Sequence, residues 1–152
     1  MSERAIEVRG LIRRFRSFQL GPLALNVDQG SVVALVGNNG SGKSTLFRLL
    51  TGLLTLDQGS IHFYSEGKQL SEQEAKGKIG YVGRPFGLFQ HETIDSLASF
   101  FSYWYPNWDQ QKYQRLLQRY QIDPQMSLAK CSNGEQKKVE LILALSSSPQ
   151  WL

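Results

Sequence analysis

The sequence predicts an α/β fold in which antiparallel strands precede a buried strand, a glycine-rich loop and a helix, with further helices inserted later. Three patterns predict it. Apolar and polar residues alternate before residue 28, an apolar run at residues 31–36 leads through glycines into an amphipathic helix, and residues 92–120 have helical periodicity. This order of elements is typical of a sheet covered by helices.

The size and composition fit one globular domain. The chain has 152 residues, of which 41% are hydrophobic and 20% are charged, and this is enough to build a core. No apolar run approaches the ~18 residues that a membrane-spanning helix needs. Because the arginine-rich first residues do not resemble a secretory signal, we expect a cytoplasmic protein.

Charge and cysteine content point to no special chemistry. The net charge is +4, and we interpret the arginines near the N-terminus as a solvated face. Since aromatic and basic residues do not alternate, we expect no nucleic acid partner. Cys131 is the single cysteine, so it forms no internal disulfide and is expected to pack in a core.

The N-terminal third is predicted to be β-structure. Residues 5–8, 11–18 and 23–27 alternate apolar and polar side chains, which predicts antiparallel strands, with a break at Gly21-Pro22. Residues 31–36 read Ser-Val-Val-Ala-Leu-Val. Such a run favours a strand that is buried on both faces of a parallel sheet.

The next elements alternate between helix and strand. Residues 43–53 carry apolar side chains on one helical stripe, and Gly52 fits a C-cap. Residues 60–64 and 79–82 are predicted strands, and residues 65–78 a polar surface loop with a short helix. These elements complete the expected α/β core.

The stretch from residue 92 to residue 120 is predicted to hold two helices joined by an aromatic-rich connection at residues 103–106. The apolar stripe of the second helix consists of Tyr113, Leu116, Leu117 and Tyr120. We interpret this stretch as a helical insertion within the α/β domain.

The glycine-rich loop matches the pattern G-x-x-x-x-G-K-[ST] of a P-loop nucleoside triphosphatase core. Glycines permit backbone angles that bring several N–H groups to bear on one phosphate. Lys43 adds positive charge for the β- and γ-phosphates, and Ser44 offers a hydroxyl to Mg²⁺. The predicted nucleotide-binding residues of the loop are Gly37, Asn38, Asn39, Gly40, Ser41, Gly42, Lys43, Ser44 and Thr45.

A second motif, Cys131-Ser132-Asn133-Gly134-Glu135, precedes another predicted helix. Taken alone, Ser132 and Glu135 form an S-x-x-E capping box. Together with the phosphate loop, however, the sequence resembles the ATP-binding subunits of ABC transporters, whose signature L-S-G-G-Q/E follows a phosphate loop and a helical subdomain. Ser132 and Gly134 match that signature, whereas Cys131 and Asn133 depart from it.

The resemblance covers essentially the whole chain. Residues 6–11 resemble the family's opening strand, Phe15 falls where an aromatic ring stacks on adenine, and residues 51–54 and 57–60 resemble the segment after the first helix. The implied organisation is a partial ATP-binding domain whose C-terminal part is missing. Its parts are a β subdomain and P-loop core at residues 1–83, a helical subdomain at about residues 92–131, and the signature helix with the start of the next strand at residues 132–152.

The resemblance also implies ligands and partners. The ligands are ATP and Mg²⁺, the partners are a second ATP-binding subunit and a membrane permease, and the location is the cytoplasmic face of the cell membrane. In the family two subunits stack head to tail, and each signature closes over the γ-phosphate held by the other subunit, which couples ATP binding and hydrolysis to export or import. The signature residues here are Ser132, Asn133, Gly134 and Glu135. Residues 105–109 resemble a stretch of bacterial drug- and antibiotic-export members.

Two departures concern hydrolysis. The family places a glutamine where this chain has Gly83 and Arg84; because arginine has no acceptor atom for a metal, Gln90 is the alternative candidate. The Walker B aspartate, the catalytic glutamate and the H-loop histidine are expected beyond Leu152, and phosphoryl transfer needs such groups. His62 and His91 are interpreted as ordinary surface or loop residues.

Two other functions stay open. One is a non-catalytic remnant or interaction fragment in which the aromatic residues at 100–105 contact a permease. The other is a P-loop small-molecule kinase, which explains the phosphate loop but reduces the second motif to a helix cap. A dimer that depends on the γ-phosphate distinguishes the transporter from the kinase. For the isolated chain, an uncovered strand at residues 31–36 predicts poor solubility.

Overall fold

The computed structural model describes residues 3–83 and 87–152. The chain divides into two compact units, Met1–Lys76 and Gly77–Leu152. The first unit combines an antiparallel sheet with a helix that follows the phosphate loop, and the second unit is helical. The fold is therefore of the predicted α/β class.

The sheet of the first unit has four antiparallel strands in the order β2-β1-β3-β4. The two strands predicted at residues 5–8 and 11–18 are one strand that ends at Arg14, and in it Gly10 adopts a φ of 55° where the register with β2 shifts. A single bulged residue lets the pairing continue, so the strand bends without ending. The strands are β1 (Arg4–Arg14), β2 (Gln19–Asp28), β3 (Gln58–Ser65) and β4 (Lys68–Gln69).

The described part of the chain contains five α-helices, several of which begin at a capping side chain. Side chains mark two of the starts, because Thr93 accepts a hydrogen bond from the N–H of Ser96 and Asp109 accepts one from the N–H of Lys112. The C-cap of the first helix is Thr51, one residue before the predicted Gly52, and Gly52 follows it with a φ of 72°, the left-handed conformation that commonly ends a helix. The helices are α1 (Lys43–Leu50), α2 (Glu72–Lys76), α3 (Ile94–Trp104), α4 (Gln110–Tyr120) and α5 (Asn133–Ser146).

The core of the first unit fixes α1 against the sheet. Val8 and Leu11 of β1 are buried against Leu46 and Leu49 of α1. Their packing removes apolar surface from water on both elements. Because α1 begins directly after the phosphate loop, this contact also anchors the C-terminal end of the loop.

The buried strand predicted at residues 31–36 is wrong. Residues 31–42 contain no strand or helix, and Val32 and Val36 are 100% and 95% exposed. Leu35 still packs on the core of the first unit. A strand inside a parallel sheet needs hydrogen-bonded neighbours on both sides, and no strand in the described part of the chain pairs with this segment.

The strand predicted at residues 79–82 is wrong for a related reason. Ile79 makes one parallel bridge to Trp151, and residues 80–82 have no further pairing among the described residues. A single bridge does not propagate into a ladder. The helical core of the second unit lies instead between α3, α4 and α5.

That helical core explains the stripe predicted on the second helix. Tyr113 and Leu117 of α4 are buried together with Leu97 of α3 and Ile142 of α5. Cys131 is buried in the same cluster, as expected for a packing residue, and burial raises the pKa of its thiol. None of the helices among the described residues has the length and apolar character that crossing a bilayer requires.

Candidate nucleotide-binding site

Residues 37–41 of the phosphate loop are exposed, and the chain turns sharply there before α1 begins at Lys43. Gly40 and Gly42 adopt φ values of 83° and 97°, a region that side chains with a Cβ rarely occupy. The N–H of Ser41 donates to the carbonyl of Asn38 at 3.2 Å, which closes a turn inside the loop. Glycines therefore provide the backbone angles for which the sequence motif selects them.

The ammonium group of Lys43 lies folded back over the loop. Its Nζ donates to the carbonyl oxygens of Gly37 at 2.6 Å and Asn38 at 2.8 Å, and it lies 3.5 Å from Ser41 Oγ. The charge is thus held directly above the turn by neutral acceptors. An anionic phosphate oxygen is a stronger acceptor than a carbonyl, so these bonds can be exchanged for bonds to a phosphate.

The N-terminus of α1 is open. Gly42 is the N-cap, no side chain caps the helix, and no acidic residue stands in its first turn. The first N–H groups of a helix have no partner within the helix, and the helix dipole places positive potential there. Together with Lys43, this end of α1 has the donors and the charge of an anion site.

The tip of the β1–β2 hairpin brings aromatic rings to this loop. Phe15 is 42% exposed, and the guanidinium carbon of Arg13 lies 5.3 Å from the centre of its ring. Arg13 is held by Asp57, with 3.1 Å between Nη1 and Oδ1. A Cβ placed on Gly42 would lie 3.1 Å from Phe18 Cζ, so the hairpin touches the last glycine of the loop.

Sequence reasoning missed Phe18. The alternation at residues 11–18 predicts a strand, whereas the strand ends at Arg14 and residues 15–18 form the hairpin tip. The sequence does contain one indication of this tip: two phenylalanines stand three residues apart, directly before β2, whose first residues contact the phosphate loop.

A metal at this site would have few protein ligands. Ser44 is exposed at the start of α1, and no group of three or more His, Cys, Asp or Glu residues in the described part of the chain could hold a metal ion. Mg²⁺ prefers six oxygen ligands and commonly keeps phosphate oxygens and waters among them. The Ser44 hydroxyl fits as one such ligand beside a bound phosphate chain.

The second motif lies in the helical unit at the start of α5. The hydroxyl of Ser132 accepts from the N–H of Glu135 at 3.3 Å, and the N–H of Ser132 donates to Glu135 Oε2 at 2.7 Å. The predicted capping box is therefore confirmed. The backbone bond from Ser132 lowers the pKa of the Glu135 carboxyl. Asn133 and Gly134 are exposed, and a Cβ on Gly134 would meet nothing within 4 Å.

Of the two candidates for the position of the family's glutamine, Gln90 is among the described residues. Arg84 lies outside the described residues, and the carbonyl of Gln90 accepts a bond from the N–H of Ala129 at 2.8 Å. Gly83, which directly precedes Arg84 in the sequence, accepts a hydrogen bond at its carbonyl from Lys137 Nζ of α5. Lys137 in turn lies 3.1 Å from Oε2 of Glu140, which is 3% exposed.

The two histidines have ordinary surroundings. His62 lies in β3 opposite Glu7 of β1, and His91 is exposed before α3. Glu7 is buried and accepts hydrogen bonds from Arg4 and from the Tyr64 hydroxyl. Part of the arginine-rich start therefore neutralises this carboxylate in addition to forming a solvated face.

Sequence comparison matches residues 20–152 to the ABC transporter family. The sulfate/thiosulfate import ATP-binding protein CysA of Pseudomonas putida is 32% identical over 159 residues, covering 97% of this chain and 48% of the relative. A protein of the same description from Cucumis sativus is 33% identical over 158 residues, covering 97% and 45%. The chain spans about half the length of the curated relatives it matches.

Structural comparison gives the same assignment of fold. A solved structure of an ATP binding subunit of an ABC transporter has a TM-score of 0.78 and 25% identity, covering 95% of this chain and 63% of that chain. A nucleotide-free ATP-binding cassette from an ABC transporter has a TM-score of 0.74 at 22% identity, covering 96% and 66%. These matches confirm the predicted fold class.

The relatives correct one prediction. They are described as import proteins, which contradicts the drug- and antibiotic-export subgroup predicted from residues 105–109. The structure gives those residues a local role. Tyr105 ends α3, Asp109 caps α4, and the Trp108 ring lies 5.6 Å from that of Tyr113. Joining two helices does not identify an export subgroup.

Proposed function

The chain belongs to the ABC transporter family, and on that premise we propose that its phosphate loop binds ATP within the ATP-binding domain of a transport ATPase. The observation that carries the proposal is the arrangement at α1. An ammonium group lies over a glycine turn whose helix has an uncapped and acid-free N-terminus. Donors and positive charge converge there, as recognition of a triphosphate requires.

Binding exchanges one set of hydrogen bonds for a stronger one. Lys43 gives up the carbonyls of Gly37 and Asn38 and donates to phosphate oxygens instead. Because the new acceptors are charged, each bond is stronger than the one it replaces. The N–H groups at the start of α1 donate to the same phosphates, and packing of Leu46 and Leu49 keeps the helix in place.

Mg²⁺ is the second ligand of the proposal, and Ser44 is the residue that would hold it. When bound, the ion neutralises charge on the β- and γ-phosphates. The chain's own contribution is the Ser44 hydroxyl, which α1 presents one residue after Lys43.

The signature at residues 132–135 is proposed to act on ATP held by a second ATP-binding subunit. Its support is local: Asn133 and Gly134 are exposed in the first turn of α5, with open space beside Gly134. The capping box already satisfies the N–H groups of Ser132 and Glu135. Two further first-turn amides are therefore left for a phosphate.

We place the protein on the cytoplasmic face of a membrane, beside a permease, and assign it to import. The import proteins among its relatives support the direction of transport. An exposed aromatic edge on α3 supports a protein partner, since Phe100, Tyr103 and Trp104 are 50%, 81% and 64% exposed. Aromatic side chains are enriched in protein interfaces.

Substitution of Lys43 tests ATP binding. Lys43→Ala in the full-length protein should weaken ATP binding by roughly 10- to 100-fold, because a charge-assisted bond contributes about 1.5–3 kcal/mol. Titration calorimetry measures the affinity, and Lys68→Ala, an exposed lysine of β4, is the matched control. Unchanged affinity in Lys43→Ala would falsify the proposal. A loss in both variants would show that general charge, and not the loop, binds the nucleotide.

The oligomeric response to ATP tests the partner. The transporter assignment expects a dimer that forms with ATP and dissociates with ADP, visible by sedimentation. A monomer that transfers the γ-phosphate to a small alcohol would instead support the kinase alternative.

A further inference from the structure

The tip of the β1–β2 hairpin carries two phenylalanine rings on one face. β1 ends at Arg14 and β2 begins at Gln19, and the N–H of Phe15 donates to the carbonyl of Phe18 at 2.7 Å. Phe15 and Phe18 are therefore cross-strand neighbours, whose side chains share a face. Their ring centres lie 6.2 Å apart with 25° between the planes.

The second ring is the one that touches the phosphate loop. A Cβ on Gly42 would lie 3.1 Å from Phe18 Cζ and 2.8 Å from Leu20 Cδ1. Gly42 is the N-cap of α1 and stands one residue before Lys43. The aromatic face thus begins at the phosphate cradle and extends outward to Phe15.

Resting on the proposed function, we propose that Phe18 is a second base-binding residue and that Phe15 and Phe18 together form one platform for the adenine of ATP. Both rings keep surface available to a ligand, since Phe15 is 42% exposed and Phe18 is 37% exposed. A ring packed only as core would be covered. These two are exposed at a hairpin tip whose other contacts lead to the phosphate site.

The spacing of the rings decides how a base can lie. A base inserted between two rings needs about 7 Å between their planes, because carbon atoms pack ~3.5 Å apart. The ring centres are only 6.2 Å apart and the planes nearly parallel. The base therefore does not insert between the rings but stacks on their exposed surface, with Phe18 on the side of the purine nearer to the phosphates.

Arg13 positions this platform. Its guanidinium lies 5.3 Å from the Phe15 ring centre and is held by Asp57 at 3.1 Å. A cation over one face of an aromatic ring stabilises that ring in place. The carboxylate also accepts a bond from the backbone N–H of Arg14 at 2.6 Å. Asp57 thereby ties the end of β1 to the start of β3, so the hairpin tip is braced from the side.

The test separates the base from the phosphates. Affinities for ATP and for inorganic tripolyphosphate are measured on the full-length protein by competition with a fluorescent ATP analogue. Phe18→Ala should weaken ATP binding by roughly 5- to 100-fold, the range for loss of one aromatic–base contact, and leave the tripolyphosphate affinity unchanged. Phe18→Tyr, which keeps the ring, should restore the affinity for ATP.

One control variant separates the loss of a ring from a change in the shape of the phosphate loop. Leu20→Ala removes the other side chain that touches Gly42 but removes no ring, and it should not discriminate between ATP and tripolyphosphate. If Phe18→Ala weakens both ligands equally, Phe18 merely shapes the phosphate loop and the inference is overturned. It is also overturned if Phe18→Ala leaves the affinity for ATP unchanged.

The proposed function fails separately. Lys43→Ala removes the phosphate contact, so it should weaken both ATP and tripolyphosphate. If Lys43→Ala has no effect on either ligand, ATP binding by the loop is wrong. If it weakens both ligands while Phe18→Ala is silent, only the two-ring platform is wrong.

Discussion

Replacing Tyr113 by phenylalanine isolates one polar interaction inside the helical core. Tyr113 is 1% exposed, and its hydroxyl donates to Oδ1 of Asp95 at 2.9 Å. The other oxygen of Asp95 accepts from Gln125 Nε2 at 3.0 Å. The substitution removes a donor and leaves the ring, so packing against Leu97 and Leu117 is kept.

The size of the stability loss in Tyr113→Phe depends on the charge of the acceptor, the Asp95 carboxylate. A hydrogen bond to a charged group contributes about 1.5–3 kcal/mol. Asp95 is partly exposed and retains the bond from Gln125, so the carboxylate is not left without donors. We therefore expect a loss of about 1–2 kcal/mol in the free energy of unfolding at neutral pH.

The same contact predicts a dependence on alkaline pH. Burial and the nearby Asp95 carboxylate raise the pKa of the Tyr113 hydroxyl above its usual value. A raised folded-state pKa gives stability that is complete below the unfolded value of about 10 and is lost as the pH rises above it. The advantage of the wild type over Tyr113→Phe should thus be constant from about pH 7 to about pH 9 and shrink at higher pH.

Urea unfolding followed by circular dichroism measures both effects, across a pH series in the full-length chain. Tyr103→Phe is the matched control, because Tyr103 lies on α3 and is 81% exposed. That control should change stability by less than about 0.5 kcal/mol. Equal stability of Tyr113→Phe and wild type at neutral pH would refute the reasoning, and so would a difference that stays constant through the alkaline range.

Two further predictions concern exposed positions. Lys137→Ala removes the cation beside the buried Glu140 carboxylate and should lower the free energy of unfolding by about 1–3 kcal/mol. The loss is smaller than for a fully buried pair because the Lys137 side chain is 56% exposed. Lys138→Ala, the exposed neighbour, should leave the stability unchanged in the same urea titration. Val32→Thr combined with Val36→Thr keeps the shape of two fully solvated residues and should raise solubility without changing stability; equal light scattering by variant and wild type would contradict this.

Local signals in the sequence predicted local structure well. The capping box at Ser132, the left-handed Gly52 at the end of α1 and the positive φ values of Gly40 and Gly42 all appear as expected. Each depends on chemistry within a few residues, such as a side-chain oxygen reaching a backbone N–H or a φ that only glycine adopts easily. Such features do not require knowledge of distant partners.

The failures concern long-range pairing. An apolar run such as residues 31–36 indicates only that burial would stabilise it, and not which strand supplies the hydrogen bonds. In the described sheet β1 pairs with β2 and β3, so the run stays irregular and exposed. Periodicity also does not predict the role of Phe18. The alternation around it is typical of a strand, but a period of two does not show where the hairpin turns and therefore does not show that Phe18 pairs with Phe15.

The N-termini of α1 and α5, which follow the two motifs, differ in charge, and this difference predicts which of them binds ATP first. The start of α1 has no cap and no acidic residue, whereas the start of α5 is closed by Glu135, whose carboxylate has a lowered pKa and is ionised at neutral pH. The Glu135 carboxylate shares the first turn of α5 with the amides of Asn133 and Gly134, so a free triphosphate at this helix start faces a like charge. Approaching α1, it meets Lys43 instead. The triphosphate is repelled by the carboxylate at α5 and attracted by the ammonium group at α1. ATP should therefore bind the phosphate loop first, and a signature should engage it only when a partner subunit's loop has already neutralised part of its charge.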